Sequence, residues 1–482
     1  RGPSPMLEDF DFAVAGGGAA GGALAERLSS EGARVLLIEK GGRAKPGADA
    51  FEAVYRYYTR AGLSASLGNC LLPIPTGTAL GGTTTINSAT CLMTPKETLE
   101  RWERGAAGGF SAGEFQGHLD EAWRRLMVKT APAETMSASS GLFLKGLSAL
   151  GLEGGHRLDR AEDRCVGSGL CCFVCPEDAK MSAEKAFLRR PAAGLEIAVD
   201  TGLESISEEP SAVRLLLRGP GGTRRIVRCG RLVLACGSLA TPYFVRRFKL
   251  GARWAAAGNE LSLHPASKVF ALFDESVKSW TGVPQGAGWV DPREPLIRYE
   301  GVYTPPEMAA VTMPLEGRAL AWWLSRYDKV ATFGFMIRDR SRGSVRYPGG
   351  PDLPLIRYDM GPEDAALMVR AMKFVGRAFF AAGAKRVVIP INREGNDFTD
   401  AAALEREEFP GARPREFQMM AFHPLGTCGA GRAVGWDLAL TDRIFVCDGS
   451  VVPESLGVNP QITIYAFALR LAERLLGRVH AG

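Results

Sequence analysis

The residue types best suited to do chemistry fall in three places along the chain. The first is Gly16-Gly17-Gly18-Ala19-Ala20-Gly21, a G-x-G-x-x-G spacing followed eighteen residues later by Glu39. Gly16 permits a tight turn, Gly18 lets the backbone approach a diphosphate, and Gly21 lets a helix pack closely on a strand. An anion at such a helix start is held by unpaired N–H groups and the partial positive charge of the helix end, so no cationic side chain is required. Glu39 is placed to accept hydrogen bonds from ribose hydroxyls, and a carboxylate there argues against the 2′-phosphate of NADP. The second place is His423-Pro424-Leu425-Gly426-Thr427-Cys428, followed by Asn459-Pro460. A histidine titrates nearest neutrality and can accept a hydroxyl proton; an asparagine cannot titrate but can hold the oxygen that loses it. The third is Cys165, Cys171, Cys172 and Cys175, four thiols within eleven residues. Cys165, Cys171 and Cys175-Pro176 align with the ferredoxin run C-x₂-C-x₂-C-x₃-C-P, with Ser168 where its second cysteine stands, and three thiolates suit a 3Fe-4S cluster. Free thiols or a disulfide fit the same run, as does zinc on Cys172 and Cys175 completed by Cys165, Cys171 or His156, and the sequence leaves these open.

The elements that must position these groups are legible from periodicity. Residues 10–15 form an apolar run, 23–28 are helix-forming and 34–38 are β-branched and apolar, which predicts a βαβ unit around the first motif. A second glycine-rich stretch, 77–85, precedes Asn87, and a further strand–turn signal runs from Arg231 through Gly237 to Pro242. The dinucleotide fold is thus revisited along the chain. Residues 101–160 carry helical patterns, and 261–360 mix alternating stretches with Pro, Gly, Trp and Tyr, which predicts a sheet with covering helices. Ala365, Met368, Val369, Met372 and Val375 recur at helical spacing over 362–383, ending at Gly383. The predicted fold class is α/β: a discontinuous Rossmann-like domain (1–100, 160–260 and 418–482) and a second, α+β domain on a mostly antiparallel sheet (101–159 and 261–417).

Five segments together resemble the glucose-methanol-choline (GMC) oxidoreductases. They are Gly16 to Gly21 with Glu39; Thr78-Ala79-Leu80-Gly81-Gly82-Thr83-Thr84-Thr85-Ile86-Asn87; Leu234-Ala235-Cys236-Gly237-Ser238-Leu239-Ala240-Thr241-Pro242; the His423 segment; and Cys447-Asp448-Gly449-Ser450 through Asn459-Pro460-Gln461-Ile462-Thr463. Residues 165–180 and 273–285 look most like the bacterial long-chain alcohol oxidase branch. The resemblance implies FAD, with Gly16, Gly18, Ala19, Ala20, Gly21, Glu39, Lys40, Leu203, Cys236, Gly237, Gly81, Gly82, Thr83 and Asn87 along it. Asp448 and Gly449 would face its ribityl and phosphate region. Pro460 and Ile462 would open a helix, about 460–476, aimed at the flavin pyrimidine, where its dipole stabilises the reduced ring. It also implies that His423 is the proton acceptor for an alcohol and Asn459 the partner of the substrate oxygen. The catalytic subunit of bacterial FAD-dependent glucose dehydrogenase, in the same family, has a similar Cys spacing and a 3Fe-4S cluster. The expected reaction is alcohol plus FAD to carbonyl plus reduced FAD, with oxygen or an external carrier as electron acceptor. Redox-neutral or light-driven relatives, of the hydroxynitrile lyase or fatty-acid photodecarboxylase type, share the fold and are the alternative.

Composition limits the remaining classes. A chain of 482 residues exceeds one hydrophobic core, and its 46% hydrophobic and 23% charged residues place it among ordinary globular proteins. The net charge of +5 is small and the arginine pairs are scattered, so nucleic acid is not an expected partner. No apolar run reaches the length of a membrane span, and the absence of a charged-then-apolar leader after Arg1–Pro5, which reads as an added stretch, points to the cytoplasm. His118, His156 and His480 carry no motif, while His264, before Pro265, is expected at a domain junction. Trp280, Trp289, Trp322, Trp323 and Phe333 are candidates for lining an apolar cavity, which would favour a hydrophobic or cyclic alcohol.

Overall fold

The computed structural model describes residues 8–47, 49–302 and 304–479, with side chains to residue 477; Arg1–Pro5 and His480 lie outside the described residues. Strand Glu8–Ala15 (β1) is buried without interruption from Phe12 to its end, as a central strand covered on both faces must be. It pairs in parallel with Val35–Ile38 (β2), which pairs in parallel with Leu195–Ala198 (β3). Gly202–Glu208 (β4), Val213–Arg218 (β5) and Arg224–Leu234 (β6) form an antiparallel meander, and β6 is also the parallel partner of β1. The order is β3-β2-β1-β6-β5-β4.

A second sheet holds Pro265–Leu272 (β7), Ala287–Trp289 (β8), Ile297–Gly301 (β9), Val330–Ile337 (β10) and Arg386–Val388 (β11), in the order β11-β7-β10-β9-β8 and antiparallel throughout. Ile444–Val446 (β12) then returns to the first sheet and pairs in parallel with the last three residues of β6. Register brings Ala15, Ile38, Leu234 and Val446 level with one another. The carboxyl ends of β1, β2, β6 and β12 therefore finish side by side, which is where open α/β sheets bind ligands.

The principal helices are Ala19–Ser30 (α1), Lys96–Gly105 (α2), Ala112–Arg125 (α3), Ala138–Ala149 (α4), Pro362–Ala382 (α5) and Gln461–Val479 (α6). α5 starts with proline at its first turn and ends at Gly383 in the left-handed region (φ 109°), as its pattern predicts. Its buried stripe runs through Met368, Met372, Val375 and Phe379, and Ala365 and Val369 flank it. α4 and α5 pack on one another and on the second sheet, and Trp323, Tyr327 and Met313 cover its other face around Phe270 and Val388. That double cover explains why β10 is buried at all eight positions.

One expectation is corrected. Of residues 101–159, expected in the second domain, only α4 and a short strand at 156–157 join that sheet. Trp102 of α2 and Phe115, Leu119 and Ala122 of α3 are buried in the first core, with α3 packed against α6. Trp102, Phe110, Phe115, Trp436 and Phe467 pack edge-on or tilted with ring centroids 4.8–6.3 Å apart, so aromatic packing fixes these helices where periodicity could only say that they are amphipathic. Among the described residues no helix is long and apolar enough to cross a membrane.

Candidate active site

Two glycine turns build the cofactor cradle. Gly16 has φ 109°, and a Cβ there would lie 2.2 Å from the Ala235 carbonyl oxygen at the end of β6. Gly81 N donates to Gly17 O (2.9 Å), and Gly82 (φ 54°) sits so close that its Cβ would lie 2.8 Å from Gly18 Cα. No side chain caps α1 at Gly18, so the N–H groups of its first turn, Ala19, Ala20 and Gly21, have no side-chain acceptor. Glu39 is buried and its two oxygens accept from Gly17 N (2.7 Å) and Gly41 N (2.8 Å). Burial pushes this carboxyl up and those N–H bonds pull it back. A carboxylate offers about four acceptor sites, so ribose hydroxyls still find room. Open N–H groups for an anion and a fixed acceptor beside them suit the adenosine diphosphate half of FAD.

Other predicted contacts divide. Thr201 N donates to Glu39 O (2.9 Å) and brings the start of β4, with Leu203 packed on the first core, next to that acid. Lys40 is exposed and ion-paired with Asp352. Thr83 is exposed at the cradle and accepts from Gly77 N (3.0 Å).

The ends of β6 and β12 meet through Asp448, whose buried carboxylate accepts from Gly237 N (2.8 Å), Ser450 N (2.7 Å) and the Thr241 hydroxyl. Cys236 Sγ donates to Ala15 O (3.2 Å), tying in β1. The loop carrying His423 is stitched to the same place: Ser238 Oγ donates to Pro424 O, Thr427 Oγ1 to Ser238 O (2.7 Å) and Gly426 N to Gly449 O (3.3 Å). His423 is half-buried, its Nδ1 has no partner, and its ring stands edge-on to His264 at 5.2 Å. Burial first, then His264, holds it well below the ordinary histidine range, so the imidazole is neutral and free to accept a proton.

His264 is fully buried at φ 50°, a strained conformation for a side chain of its size. Its Nε2 accepts from Gly457 N (2.8 Å), which places its proton on Nδ1. Burial, followed by Arg338, Arg342 and Arg298, lowers its pKa to about 3. It thus joins the His423 loop to the segment that carries Asn459.

The start of α6 completes the site. Asn87 Nδ2 donates to Gln461 Oε1 (2.9 Å), and Gln461 Nε2 to Thr90 O (2.9 Å). Pro460 O accepts from Ile464 N (2.9 Å), and the Ile462 side chain is in the first core, which leaves only its backbone to face a ligand. Asn459 Nδ2 donates to Glu300 Oε1 (3.4 Å), while Asn459 Oδ1 and Glu300 Oε2 are buried without partners. Sequence reasoning missed Glu300. The available signal was Arg298-x-Glu300, two opposite charges on one face of a short strand otherwise made of Ile297, Tyr299 and Gly301.

Two other expectations are not gathered here. Cys165, Cys171 and Cys175 are free thiols. Among the described residues only His118, Glu121 and Glu473 bring three ligand atoms within 4.8 Å of one another, so the cysteines are not set for a single ion such as zinc. Their loop is nonetheless tied to the flavin segment, because buried Lys180 donates to Thr85 O, Asn87 O and Cys171 O, and buried Arg160 donates to Cys171 Sγ (3.3 Å). The aromatic residues read as cavity lining serve packing instead. Trp289 stacks on Phe374 (4.9 Å), Phe333 on Phe143 (3.8 Å) and Trp280 on Tyr327 (5.8 Å), Trp323 is fully buried, and Trp322 lies at the surface under Arg326 and Arg386.

Comparison with known proteins identifies the family. Residues 53–266 and 339–468 match the N- and C-terminal models of the family described as GMC oxidoreductase. An uncharacterized GMC-type oxidoreductase of Mycobacterium tuberculosis, Rv0492c, is 32% identical over 495 residues, covering 99% of this chain and 77% of the relative. The long-chain-alcohol oxidase FAO3 of Arabidopsis thaliana, a plant protein where the sequence pointed to bacterial ones, is 24% identical over 98% of this chain and 68% of its own. Pyridoxine 4-oxidase from Mesorbium loti superposes with a TM-score of 0.71 at 18% identity, covering 96% of this chain and 99% of that one. Formate oxidase does so with 0.73 at 14%, covering 98% and 99%. The two matched regions carry the glycine turn at Gly81-Gly82, His423 and Asn459, and the chain belongs to the GMC oxidoreductase family.

Proposed function

We propose that His423 accepts the hydroxyl proton of an alcohol while Asn459 holds the oxygen from which it leaves. As a GMC oxidoreductase the chain is an FAD-dependent enzyme acting on CH–OH donors. The glycine turns at Gly16–Gly21 and Gly81-Gly82 would hold FAD, which would supply the acceptor for the carbon-bound hydride and leave a carbonyl compound and a protonated base. A positioned base of this kind contributes roughly 10²- to 10⁴-fold. The observation that carries the reading is His423 itself: a neutral imidazole with an unpartnered Nδ1, on a loop fixed to Ser238 and Gly449 beside the strand ends.

A hydrophobic or cyclic alcohol is the proposed substrate class. With the aromatic residues in the core, its support is the likeness to long-chain-alcohol oxidases. The electrons pass on to oxygen or to an external carrier, and reoxidation in air against reoxidation by a dye decides which. An iron–sulfur cluster on Cys165, Cys171 and Cys175 is the finer part of the cofactor proposal. Buried Arg160 and Lys180 would offset its negative charge, and acid-labile sulfide in anaerobically purified protein tests it.

The test of the reaction is bleaching of the bound flavin in the dark, without oxygen, by a panel of primary, secondary, cyclic and long-chain alcohols. Bleaching is expected. A flavin that stays yellow across the panel would overturn the reading in favour of a lyase or light-driven relative.

A further inference from the structure

Glu300 has no place in the reaction as derived so far, yet it is the side chain that Asn459 touches. It sits in β9 between β8 and β10, opposite Gly288 and Gly334. One oxygen accepts from Asn459 Nδ2, and Gln285, whose Oε1 accepts from the Thr90 hydroxyl, adds a pull toward the ionised carboxyl. Glu300 Oε2 and Asn459 Oδ1 are both buried and both unpartnered. Two buried orphan oxygens on a hydrogen-bonded pair of side chains are costly with an ionised carboxylate, because neither can donate. A single proton on Glu300 satisfies one of the two and removes the buried charge: turning the Asn459 amide over lets the acid donate to Oδ1.

We infer that Glu300 is a positioning residue whose protonation sets which end of the Asn459 amide faces the reacting oxygen. Ionised, Glu300 holds Nδ2 and leaves an acceptor toward the substrate. Protonated, it holds Oδ1 and frees both N–H groups of Nδ2 to donate to the oxygen as negative charge develops there. Only the second arrangement stabilises the transition state. Burial raises the Glu300 pKa to about 7, against the opposing pull of Arg298, Asn459 and Gln285, so both forms exist near neutrality.

The charged and titratable groups around this end are engaged elsewhere. Arg298 donates to Gly457 O, Arg338 to Ser455 O and Glu454, and Arg342 to Asp339 O and Ser341 O. His264 is bonded to Gly457 N, and both His264 and His423 are held neutral down into the acid range.

The inference rests on the reading of His423 and Asn459 as the reacting pair, and the experiment separates the two. With FAD-loaded enzyme and the fastest-bleaching alcohol of the panel, the rate of flavin reduction should rise from acid as His423 loses its proton. It should then fall about tenfold per pH unit above neutrality as Glu300 ionises. Glu300→Gln, whose amide donates to Oδ1 at every pH, should keep the neutral rate within about threefold and lose only the falling limb. Glu300→Leu should lose roughly 10²- to 10³-fold, the worth of an oriented donor. A substrate-free arm uses infrared difference spectra, in which a protonated-carboxyl band should vanish through neutrality in the wild type and be absent from Glu300→Gln. A falling limb that survives in Glu300→Gln, or a wild type without that band, overturns the Glu300 assignment. A His423→Gln variant that reduces flavin normally overturns the base reading instead.

Discussion

Gly16 and Gly18 stand two residues apart in one motif, and the structure gives them opposite reasons for being glycine. Gly18 has φ −76°, which any residue adopts, and an added Cβ would meet only Gly82 Cα at 3.9 Å. Gly18→Ala should therefore leave the apoprotein folded, at a cost of no more than about 1 kcal/mol for alanine at a helix N-cap. The new methyl stands before the first turn of α1, in front of the N–H groups offered to the diphosphate. Losing one hydrogen bond to a charged group costs about 1.5–3 kcal/mol, so FAD affinity should fall about 10- to 150-fold for each bond lost. Gly16→Ala acts inside the protein. Its Cβ would sit 2.2 Å from Ala235 O at φ 109°, so about 1–2 kcal/mol of left-handed strain is added to an overlap that forces β1 and β6 apart. The assay pairs thermal unfolding of each apoprotein with titration by FAD, followed by quenching of flavin fluorescence. The reasoning is refuted if Gly18→Ala binds FAD as tightly as the wild type, or if apo Gly16→Ala unfolds at the wild-type temperature.

Three further outcomes are expected. His423→Gln should retain FAD, since its loop is held by backbone and by Ser238 and Thr427, but slow anaerobic flavin reduction by roughly 10²- to 10⁴-fold in stopped-flow traces. Asp397→Ala removes the acceptor of both the fully buried Trp323 indole (3.0 Å) and the Arg386 guanidinium, and should cost about 2–4 kcal/mol in chemical denaturation, with the loss read from the second domain. Acid should destabilise the fold through His264. Its folded pKa is lowered from 6.5 to about 3, so between those values the unfolded chain takes up a proton that the folded one refuses, and stability falls with pH by up to about 5 kcal/mol. Denaturation midpoints from pH 7 to 4 should show a shallower slope in His264→Gln, and equal slopes would refute this.

The glycine turn, Glu39 and the strand–helix–strand around them were legible because their constraints are local. A turn, a helix start and an acid one strand later lie within about thirty residues and depend on no distant partner. The pattern of α5 and its glycine stop were legible for the same reason. The segment that carries His423 was legible as a motif. The neutrality of that histidine was not, since the burial and the edge-on contact with His264 that depress it come from residues about 160 positions away. Which core received α2 and α3 was a tertiary decision, because an amphipathic stripe states that a face is buried and not against what. Tryptophans 289 and 323 show the same limit: an apolar surface suits a cavity wall and a core equally, and only packing against Phe374 and around Val388 chose. Glu300 is the extreme case. A glutamate in a short strand is usually a surface residue, and only the convergence of β9 with the start of α6 took it out of water and set it against Asn459.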